Sequence, residues 1–348
     1  MKIVALDLAK SKMVGCTYDT RTQEHRFQSA PLDRGTLRTV LDAERPDRVV
    51  IEIGSSAGWV GDVVRAQGVE LEVANPNHEA WRWRNVKSKT DRLDALKLAQ
   101  LSAMNQLPKV HLPEARVRQW RGLIHYRHHQ VKRRTAIKNR IRSILAGEGI
   151  AMPNGKAGWT RRALEAVRQM ARPWDEVDLQ TLWRGALHEE LAQYDQVTEC
   201  IVRVEKKLDA LAADDPRVKQ LRTTNGVGPR LAEALVAVID NPHRFKRGKQ
   251  VAAYCGLVPR QFQSGTMNRQ GRITGAGDRM LRALLTEVSW IALRYNAWAR
   301  ATFDRICQGK KTRRKTAIVA VARRLLIRCW AMLRDGTTWQ PPASVAVT

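Results

Sequence analysis

The chain has 348 residues, with 61 lysines and arginines against 34 aspartates and glutamates, so its formal net charge is +27. This length exceeds the roughly 250–300 residues at which a single hydrophobic core stops growing, which predicts at least two domains. The charge excess is larger than solubility requires. Because no run of about 18 apolar residues occurs, it favours nucleic acid over a membrane as the partner.

The five cysteines are scattered along the chain and lack the spacing of metal ligands. They predict a reducing compartment, without disulfides or structural zinc. The chain begins at once with a strand-like segment and shows no signal peptide. We therefore expect a cytoplasmic protein of bacterial type, associated with the nucleoid.

The first 110 residues predict an α/β domain with a mixed sheet. Strand-like segments open the chain at residues 2–8, 13–18 and 26–29. Helices and strands then alternate, with helices at residues 34–44 and 59–67 and strands at residues 49–53 and 70–74. Such alternation after an opening meander is typical of α/β folds.

Residues 116–142 predict one long and strongly positive helix. Ten lysines and arginines and no acidic residue occur in this range, while apolar residues such as Trp120, Ile124 and Ile137 keep a helical period. A solvated face is one explanation of such a run. Ten like charges on one helix repel, however, unless phosphates neutralise them, so the helix is a candidate nucleic-acid interface.

A narrow apolar seam follows between Leu187 and Leu211, after a connector at residues 147–158. Its apolar residues step by threes and fours, which suits a coiled coil with a second copy or with the preceding helix. Ordinary bundle packing explains the seam equally well. Oligomerisation is therefore only weakly indicated by this stretch.

Gly226 and Gly228 separate two helical segments. This spacing is typical of a helix-hairpin-helix, in which backbone N–H groups approach a phosphate at a helix N-terminus. A plain glycine-rich connector between helices is the alternative.

The remaining part of the chain is predicted to be mainly helical and basic. Residues 252–277 are rich in glycine, arginine and hydroxyl groups and predict little regular structure, whereas residues 280–293 predict an apolar helix. Residues 305–328 carry nine basic residues and no acidic one. The tail after Trp339 is predicted to be disordered.

Four carboxylates stand out near the start of the chain. Asp7 ends the first strand, Glu52 lies within a later strand, and Asp91 and Asp94 share one face at the start of a helical segment. Acids inside apolar strands are costly to bury as lone charges, and a divalent cation such as Mg²⁺ would offset that cost. Capping of strand and helix ends, with Thr90 as a helix N-cap, explains any one of these acids alone.

The segments around these acids resemble the DEDD motif of the insertion-sequence one-hundred-and-ten family of transposases. The similarity covers nearly the whole chain and is carried by residues 5–10, 51–56, 89–95, 226–228 and 256–277. One departure is the sequence Glu-Ile-Gly-Ser-Ser-Ala-Gly-Trp at Glu52, where family members often have Glu-Ala-Thr-Gly followed by an aromatic residue. The acid itself is kept.

The resemblance implies an N-terminal RuvC-like (RNase H-like) domain that binds divalent metal. Asp7, Glu52, Asp91 and Asp94 would together hold Mg²⁺, as two ions, and Mn²⁺ would substitute for it. Two ions about 3.5–4 Å apart stabilise the attacking and leaving oxygens of phosphoryl transfer.

The resemblance also singles out Ser264 as the nucleophile that attacks DNA and forms a covalent phosphoserine-type intermediate. From the residues alone, Ser264 is one of several hydroxyl-bearing residues in this segment. The alternative to a catalytic role is that Ser264 only occupies a turn. Candidates for stabilising the charge of the phosphorane are Arg260, Arg269 and Arg272.

The resemblance further implies a structured non-coding RNA, the bridge RNA, that pairs with double-stranded donor and target DNA. It implies a dimer or tetramer in which the RuvC-like domain of one subunit completes the site of another, with no membrane partner. The candidate nucleic-acid-binding residues are Lys89, Arg116, Arg127, Lys132, Arg133, Arg134, Lys138, Gly226, Gly228, Arg260, Arg269, Arg272, Arg313, Arg314 and Lys315.

We therefore predict a transposase or recombinase that cuts and rejoins DNA. Its predicted domains are a RuvC-like DEDD domain at residues 1–110, basic long helices with a coiled coil at 111–213, a transposase domain with the helix-hairpin-helix and Ser264 at 214–340, and a tail at 341–348. Two alternatives stay open. One is a metal-dependent, Holliday-junction-type nuclease with water as nucleophile, and the other is an inactive nucleic-acid-binding remnant.

Overall fold

The structure, a computed structural model, describes residues 1–75 and 90–340. Lys89, one of the candidate nucleic-acid contacts, and the predicted tail at 341–348 lie outside the described residues. Across the two described ranges, no helix is long and apolar enough to cross a membrane.

The chain divides into two compact units, Met1–Gln119 and Trp120–Thr348. The division predicted from the sequence, with boundaries after residues 110 and 213, is finer than this one. It stays a prediction.

The first unit is built on a five-stranded mixed sheet. In the spatial order β3-β2-β1-β4-β5, its strands are β1 (Lys2–Leu8), β2 (Lys12–Asp19), β3 (His25–Pro31), β4 (Arg48–Glu52) and β5 (Glu70–Ala74). The first three strands form an antiparallel meander, whereas β4 runs parallel to β1 and β5 runs parallel to β4. This is the strand order of the RNase H-like fold, so the predicted mixed sheet and fold class are confirmed.

Helices cover both faces of this sheet because its central strands are apolar on both sides. Val4 and Leu6 of β1 share one core cluster with α1 (Arg34–Glu44) and α2 (Ala57–Ala66). Ile3 and Ala5 share another core cluster with α3 (Asp91–Ala103). Since successive side chains of a strand point to opposite faces, the odd-numbered residues of β1 face α3.

Long helices make up the first part of the second unit. They are α4 (Ala115–Gly147), α5 (Arg161–Met170) and α6 (Leu182–Ala213). A single core cluster joins Ile137, Ile141 and Leu145 of α4 to the predicted seam on α6, at Leu187, Leu191, Tyr194, Val197 and Ile201. This part of the seam thus packs against the preceding long helix, and a coiled coil with a second copy stays a prediction.

The rest of the second unit is mainly helical, as predicted. Its helices in the described part of the chain are α7 (Pro216–Arg222), α8 (Pro229–Ile239), α9 (Gly248–Tyr254), α10 (Arg279–Tyr295), α11 (Ala297–Cys307) and α12 (Arg314–Asp335). Every residue of α8 from Leu231 to Ile239 is buried, and all of them except Glu233 are apolar. Helices α10 and α12 contribute to the same core cluster.

The segment predicted to lack regular structure contains a β-hairpin, so that prediction was wrong. β6 (Pro259–Ser264) pairs antiparallel with β7 (Met267–Ile273). Gly265, with a φ of 54°, takes the first position of the two-residue turn, where hairpins favour glycine. Residues 261–270 are exposed throughout, so no alternation of apolar and polar residues marks these strands in the sequence.

Gly226 and Gly228 lie in the turn between α7 and α8. Gly226 has a φ of 97°, and a β-carbon on it would lie 3.0 Å from the Cα of Ala292 in α10. Gly228 is the N-cap of α8, with an extended backbone and open space around its Cα. The first glycine is therefore required by conformation and packing, and the second is not.

We predict that Gly226→Ala lowers the free energy of unfolding by about 1–3 kcal/mol, because the left-handed backbone and the contact with α10 both oppose a side chain. Gly228→Ala is the matched control, and it should cost less than about 1 kcal/mol. Denaturant titration followed by circular dichroism measures both changes. Equal losses from the two variants would contradict the assignment.

Candidate active site and nucleic-acid interface

Asp7 and Glu52 lie at the same edge of the sheet, on neighbouring strands. The parallel register of β1 and β4 pairs Leu6 with Ile51, and its continuation by one residue places Asp7 beside Glu52. Both residues are half-buried, and both strands end at this point. The two strand acids thus share the carboxyl-terminal edge of the sheet.

Helix α3 brings the other two acids to this edge. It covers the sheet face to which the two strand acids belong by the alternation of side chains. Its C-terminal part lies over the opposite end of β4, since the Nη1 of Arg48 donates to the Oγ of Ser102 at 3.2 Å. The first turn of α3, with exposed Asp91 and half-buried Asp94, therefore lies at the carboxyl ends of the strands.

A buried ion cluster holds the far end of α3 to the sheet. Glu72 is 3% exposed, and its carboxylate accepts a hydrogen bond from the Oγ of Ser102 at 2.7 Å. Arg48 lies 3.3 Å from the same carboxylate, and Lys109 also pairs with it. A carboxylate inside this sheet is thus neutralised by two cations towards the amino ends of the strands, away from the edge that carries the four acids.

Capping of α3 does not require either of its acids. Thr90 is the N-cap, and its Oγ1 accepts a hydrogen bond from the N–H of Leu93 at 3.3 Å. Negative charge in the first turn still suits the helix dipole, so Asp91 and Asp94 are compatible with a structural role. Burial lowers the pKa of Lys97, one turn after Asp94, and the negative charge of Asp94 partly offsets that effect.

The four acids supply the oxygen ligands that a divalent metal requires. Two come from paired strand ends and two from one helix turn that faces them, which fits a Mg²⁺ or Mn²⁺ site. Within residues 1–75 and 90–340, no three acidic, histidine or cysteine side chains come close enough to hold a metal ion. Carboxylates repel one another when no cation lies between them. Binding of a metal ion therefore requires these side chains to turn towards it.

Ser264 lies at the tip of the β6–β7 hairpin. It is the last residue of β6, it pairs with Met267 across the turn, and it is exposed. The three predicted arginines of this hairpin, Arg260, Arg269 and Arg272, are exposed as well. Residues 256–277 contain no acidic residue, so every charged side chain of this segment is positive.

The root of this hairpin is held by two close backbone contacts. A β-carbon on Gly256 would collide with the backbone of Ala276, and one on Gly277 would collide with the carbonyl oxygen of Tyr254. Both glycines have positive φ angles, of 68° and 70°. No other residue type fits either position, so the hairpin leaves the helical core at a fixed place.

The helix that follows the hairpin is capped by an ion pair with α4. Asp278 accepts a hydrogen bond from the N–H of Leu281 and lies 3.1 Å from the Nε2 of His125. The hydrogen bond with Asp278 raises the pKa of His125. The pKa of Asp278 is lowered because its hydrogen bonds with His125 and with the backbone outweigh burial, which opposes them.

Two of the predicted nucleic-acid contacts on α4 are engaged within the chain. The Nε of Arg127 donates to Glu205 of α6 at 2.9 Å. The Nζ of Lys138 lies 4.6 Å from the ring centroid of Trp159, and burial lowers the pKa of this lysine. Both side chains tie α4 to its neighbours, which gives each a structural role beside the predicted one.

Other cations of α4 form an exposed surface. Arg116, Lys132 and Arg133 are exposed, whereas Arg134 is half-buried. Arg140, which the sequence analysis missed, is exposed and lies seven residues after Arg133, on the same side of the helix. That two-turn spacing is the signal that could have found it. We call Lys132, Arg133 and Arg140 the α4 basic surface.

A second exposed basic group lies at the start of α12. Arg313, Arg314 and Lys315 are all exposed, as a nucleic-acid contact requires. The guanidinium of Arg314 lies 5.7 Å from the ring centroid of Trp290, which is itself 38% exposed.

Comparison with known proteins identifies relatives along the whole chain. A DEDD family model described as a transposase matches residues 4–149, and a model described as the transposase IS116/IS110/IS902 family matches residues 218–304. A probable family 20 transposase of Pseudomonas aeruginosa is 30% identical over 345 residues, which cover 97% of this chain and 98% of that protein. The transposase for insertion sequence element IS1111A of Coxiella burnetii is 26% identical over 354 residues, covering 98% of this chain and 92% of that protein.

A solved structure similar to part of the chain is that of Thermus thermophilus RuvC in complex with a Holliday junction substrate. It is 11% identical, with a TM-score of 0.24, and the match covers 32% of this chain and 99% of RuvC. The fold class rests on the strand order of the sheet, and the family rests on the full-length relative and the two family models. The chain belongs to the IS110/IS116/IS902 family of transposases, enzymes that cut and rejoin DNA.

Proposed function

We propose that this transposase works with Mg²⁺ held by Asp7, Glu52, Asp91 and Asp94 and with Ser264 as a nucleophile that bonds covalently to DNA. The observation that carries the metal site is the convergence of two paired strand ends and one helix start at a single edge of the sheet. Support for the serine comes from its exposed position at the tip of a cationic hairpin.

The residues of the first unit contribute four carboxylates whose backbones are held at one edge of the sheet. Asp7 and Glu52 are held by the backbone ladder of paired strands, and the buried cluster around Glu72 anchors the helix that carries Asp91 and Asp94. Bound Mg²⁺ would stabilise the attacking and leaving oxygens of a phosphodiester, and Mn²⁺ accepts the same ligands.

The serine step exchanges one phosphoester bond for another, so the energy needed to rejoin the DNA is retained in the bond between Ser264 and phosphorus. The Oγ of Ser264 forms a bond to phosphorus while the bond from phosphorus to the departing strand end breaks. The serine loses its proton, and the departing oxygen gains one. A hydroxyl of a second DNA strand then reverses the step and rejoins the DNA, with Arg260, Arg269 and Arg272 as sources of positive charge for the phosphorane.

The same proposal includes a structured guide RNA, the bridge RNA, and a homo-oligomer. The α4 basic surface and the group at Arg313 are separate sites of exposed charge, which together offer room for RNA as well as double-stranded DNA. Base pairing would select donor and target DNA while the protein contacts backbone and shape. A dimer or tetramer would let the acids of one subunit meet Ser264 of another.

We predict that the wild-type protein, incubated with Mg²⁺, guide RNA and a nicked DNA substrate, forms a covalent protein–DNA adduct that survives denaturing electrophoresis. Ser264→Ala should reduce the adduct by roughly 10³-fold or more, because the only bond to DNA is through its Oγ. Thr266→Ala, which removes the neighbouring hydroxyl, is the matched control and should keep the adduct. Cleavage without any adduct in the wild type would favour the nuclease in which water is the nucleophile.

A second prediction concerns the acids. Asp7→Asn and Glu52→Gln should each lower the rate of strand cleavage by roughly 10³-fold in Mg²⁺ or Mn²⁺, because each removes a charged ligand worth several kcal/mol in the transition state. Glu70→Gln, an exposed acid on β5 of the same sheet, should leave the rate unchanged. Rates are read from labelled DNA on a denaturing gel. Full activity of Asp7→Asn would exclude the proposed metal site.

A third prediction concerns the guide RNA. Replacing Lys132, Arg133 and Arg140 by alanine should weaken RNA binding and flatten the slope of log affinity against log salt by about 2–3, since each phosphate contact contributes roughly 0.7–0.9 to that slope. Lys206→Ala combined with Lys207→Ala, on the exposed side of α6, is the control. Fluorescence anisotropy measures the affinity, with the transcript of the DNA flanking the gene as the probe. An unchanged slope would exclude the α4 basic surface as the RNA contact.

A further inference from the structure

The two faces of the β6–β7 hairpin differ in chemistry. Cross-strand pairs place Phe262 opposite Arg269 and Ser264 opposite Met267, so these four side chains belong to one face. Near the tip, the opposite face carries amides, at Gln261, Gln263, Asn268 and Gln270. We call the first of these the serine face.

The serine face is apolar at its centre and open to solvent. Phe262 is 47% exposed and Met267 is 57% exposed. The hairpin is a two-stranded sheet of its own, and neither side chain belongs to a core cluster of the second unit. Phe262 and Met267, diagonal neighbours on an isolated two-stranded ribbon, form a small apolar patch that a partner can cover.

One side of the Phe262 ring is already occupied by the hairpin itself. A β-carbon on Gly271 would lie 3.0 Å from the ring, so the glycine leaves room for the ring to lie against the strand. The guanidinium of Arg269 lies 5.7 Å from the ring centroid. Covering a strand glycine with an aromatic ring is a structural role, yet about half of the Phe262 side chain stays exposed to solvent beside this contact.

Charge identifies the kind of partner. Residues 256–277 carry three arginines and no acidic residue, so the hairpin as a whole attracts a polyanion and repels another basic surface. Apart from the carboxylate edge proposed to meet Ser264, the surface of a second copy of this chain, with its net charge of +27, is a poor partner for this reason. A flat aromatic ring beside arginines is the combination that binds unpaired nucleobases, because every base offers a face for stacking.

We propose that Phe262, with Met267 beside it, stacks on an unpaired nucleobase next to the phosphate that Ser264 meets. The contact would hold the phosphate within reach of the serine by fixing the adjoining base, while the arginines bind the backbone on either side. The catalytic role of this contact rests on the proposed function of Ser264 as nucleophile. Stacking of the base on Phe262 does not itself require the serine.

Photocross-linking tests where the base lies. A single-stranded oligonucleotide containing 5-iodouracil, irradiated with the full-length protein, should cross-link to the tryptic peptide of residues 261–269, which holds both Phe262 and Met267. Ser264→Ala should cross-link equally, whereas Phe262→Leu should lose most of the cross-link, since leucine still covers Gly271 but offers no ring. Cross-links found only on other peptides would overturn the proposal.

Equilibrium binding tests whether the contact is with the base. At about 0.3 M salt, where phosphate contacts are weakened, Phe262→Leu should lower affinity for an oligothymidine of about 20 nucleotides by roughly 5- to 100-fold. The same variant should bind an abasic oligonucleotide of equal length as the wild type does, and Phe262→Trp should restore the loss. Gln261→Ala, on the amide face, is the matched control and should change neither affinity.

The outcomes separate this inference from the proposed function. Equal losses for thymidine and abasic oligonucleotides, or no loss at all, would overturn base stacking whatever the serine does. A smaller sedimenting mass of the DNA-free protein in Phe262→Leu would show that a second copy covers the serine face, and would also overturn it. If Ser264→Ala keeps the covalent adduct while the stacking results hold, the nucleophile assignment fails and the base contact stands.

Discussion

The parallel pairing of β1 with β4 is the constraint on which the candidate metal site depends. Because the two strands run in the same direction, their carboxyl ends meet, and the register sets Asp7 beside Glu52. Because side chains alternate along a strand, both acids share the sheet face that α3 covers. A shift of the register by one residue would send one acid to the opposite face, among the apolar residues that pack on α1 and α2. The hydrophobic pattern of both strands therefore protects the geometry of the acids.

The first unit, which carries the candidate metal site, was largely predictable from its sequence, and for a physical reason. Its strands are buried on both faces, so they form apolar runs in which an acid such as Asp7 or Glu52 is conspicuous. The helix of Asp91 was marked by Thr90, whose cap hydrogen bond is present. The neighbour of each strand was not predictable from those runs, because pairing order depends on contacts distant in sequence. The strand order of the structure shows which strands are neighbours.

The second unit was harder to predict. Its basic residues divide into those engaged within the chain and those exposed to solvent, and the sequence does not show which is which. Arg127 and Arg133 look alike in the sequence, yet the partner helix α6 engages the first through Glu205 and leaves the second outward. The hairpin of Ser264 escaped prediction for a related reason. A strand exposed on both faces buries nothing, so it carries no alternating pattern. The regions proposed to meet a nucleic acid are therefore those in which patterns based on burial are weakest.

Gly256 and Gly277 form the root of the hairpin, where it leaves the helical core. Backbone touches backbone there, so the direction in which the hairpin leaves the helical core is set without any side chain. Beyond the root, the ladder between β6 and β7 holds the ribbon, and a ribbon of two strands twists more strongly than a larger sheet. The hairpin is thus fixed at its root, whereas its exposed tip lies outside the core clusters of the second unit. The root thus sets where the hairpin begins, and the lengths of β6 and β7 set how far Ser264 lies from the helical core.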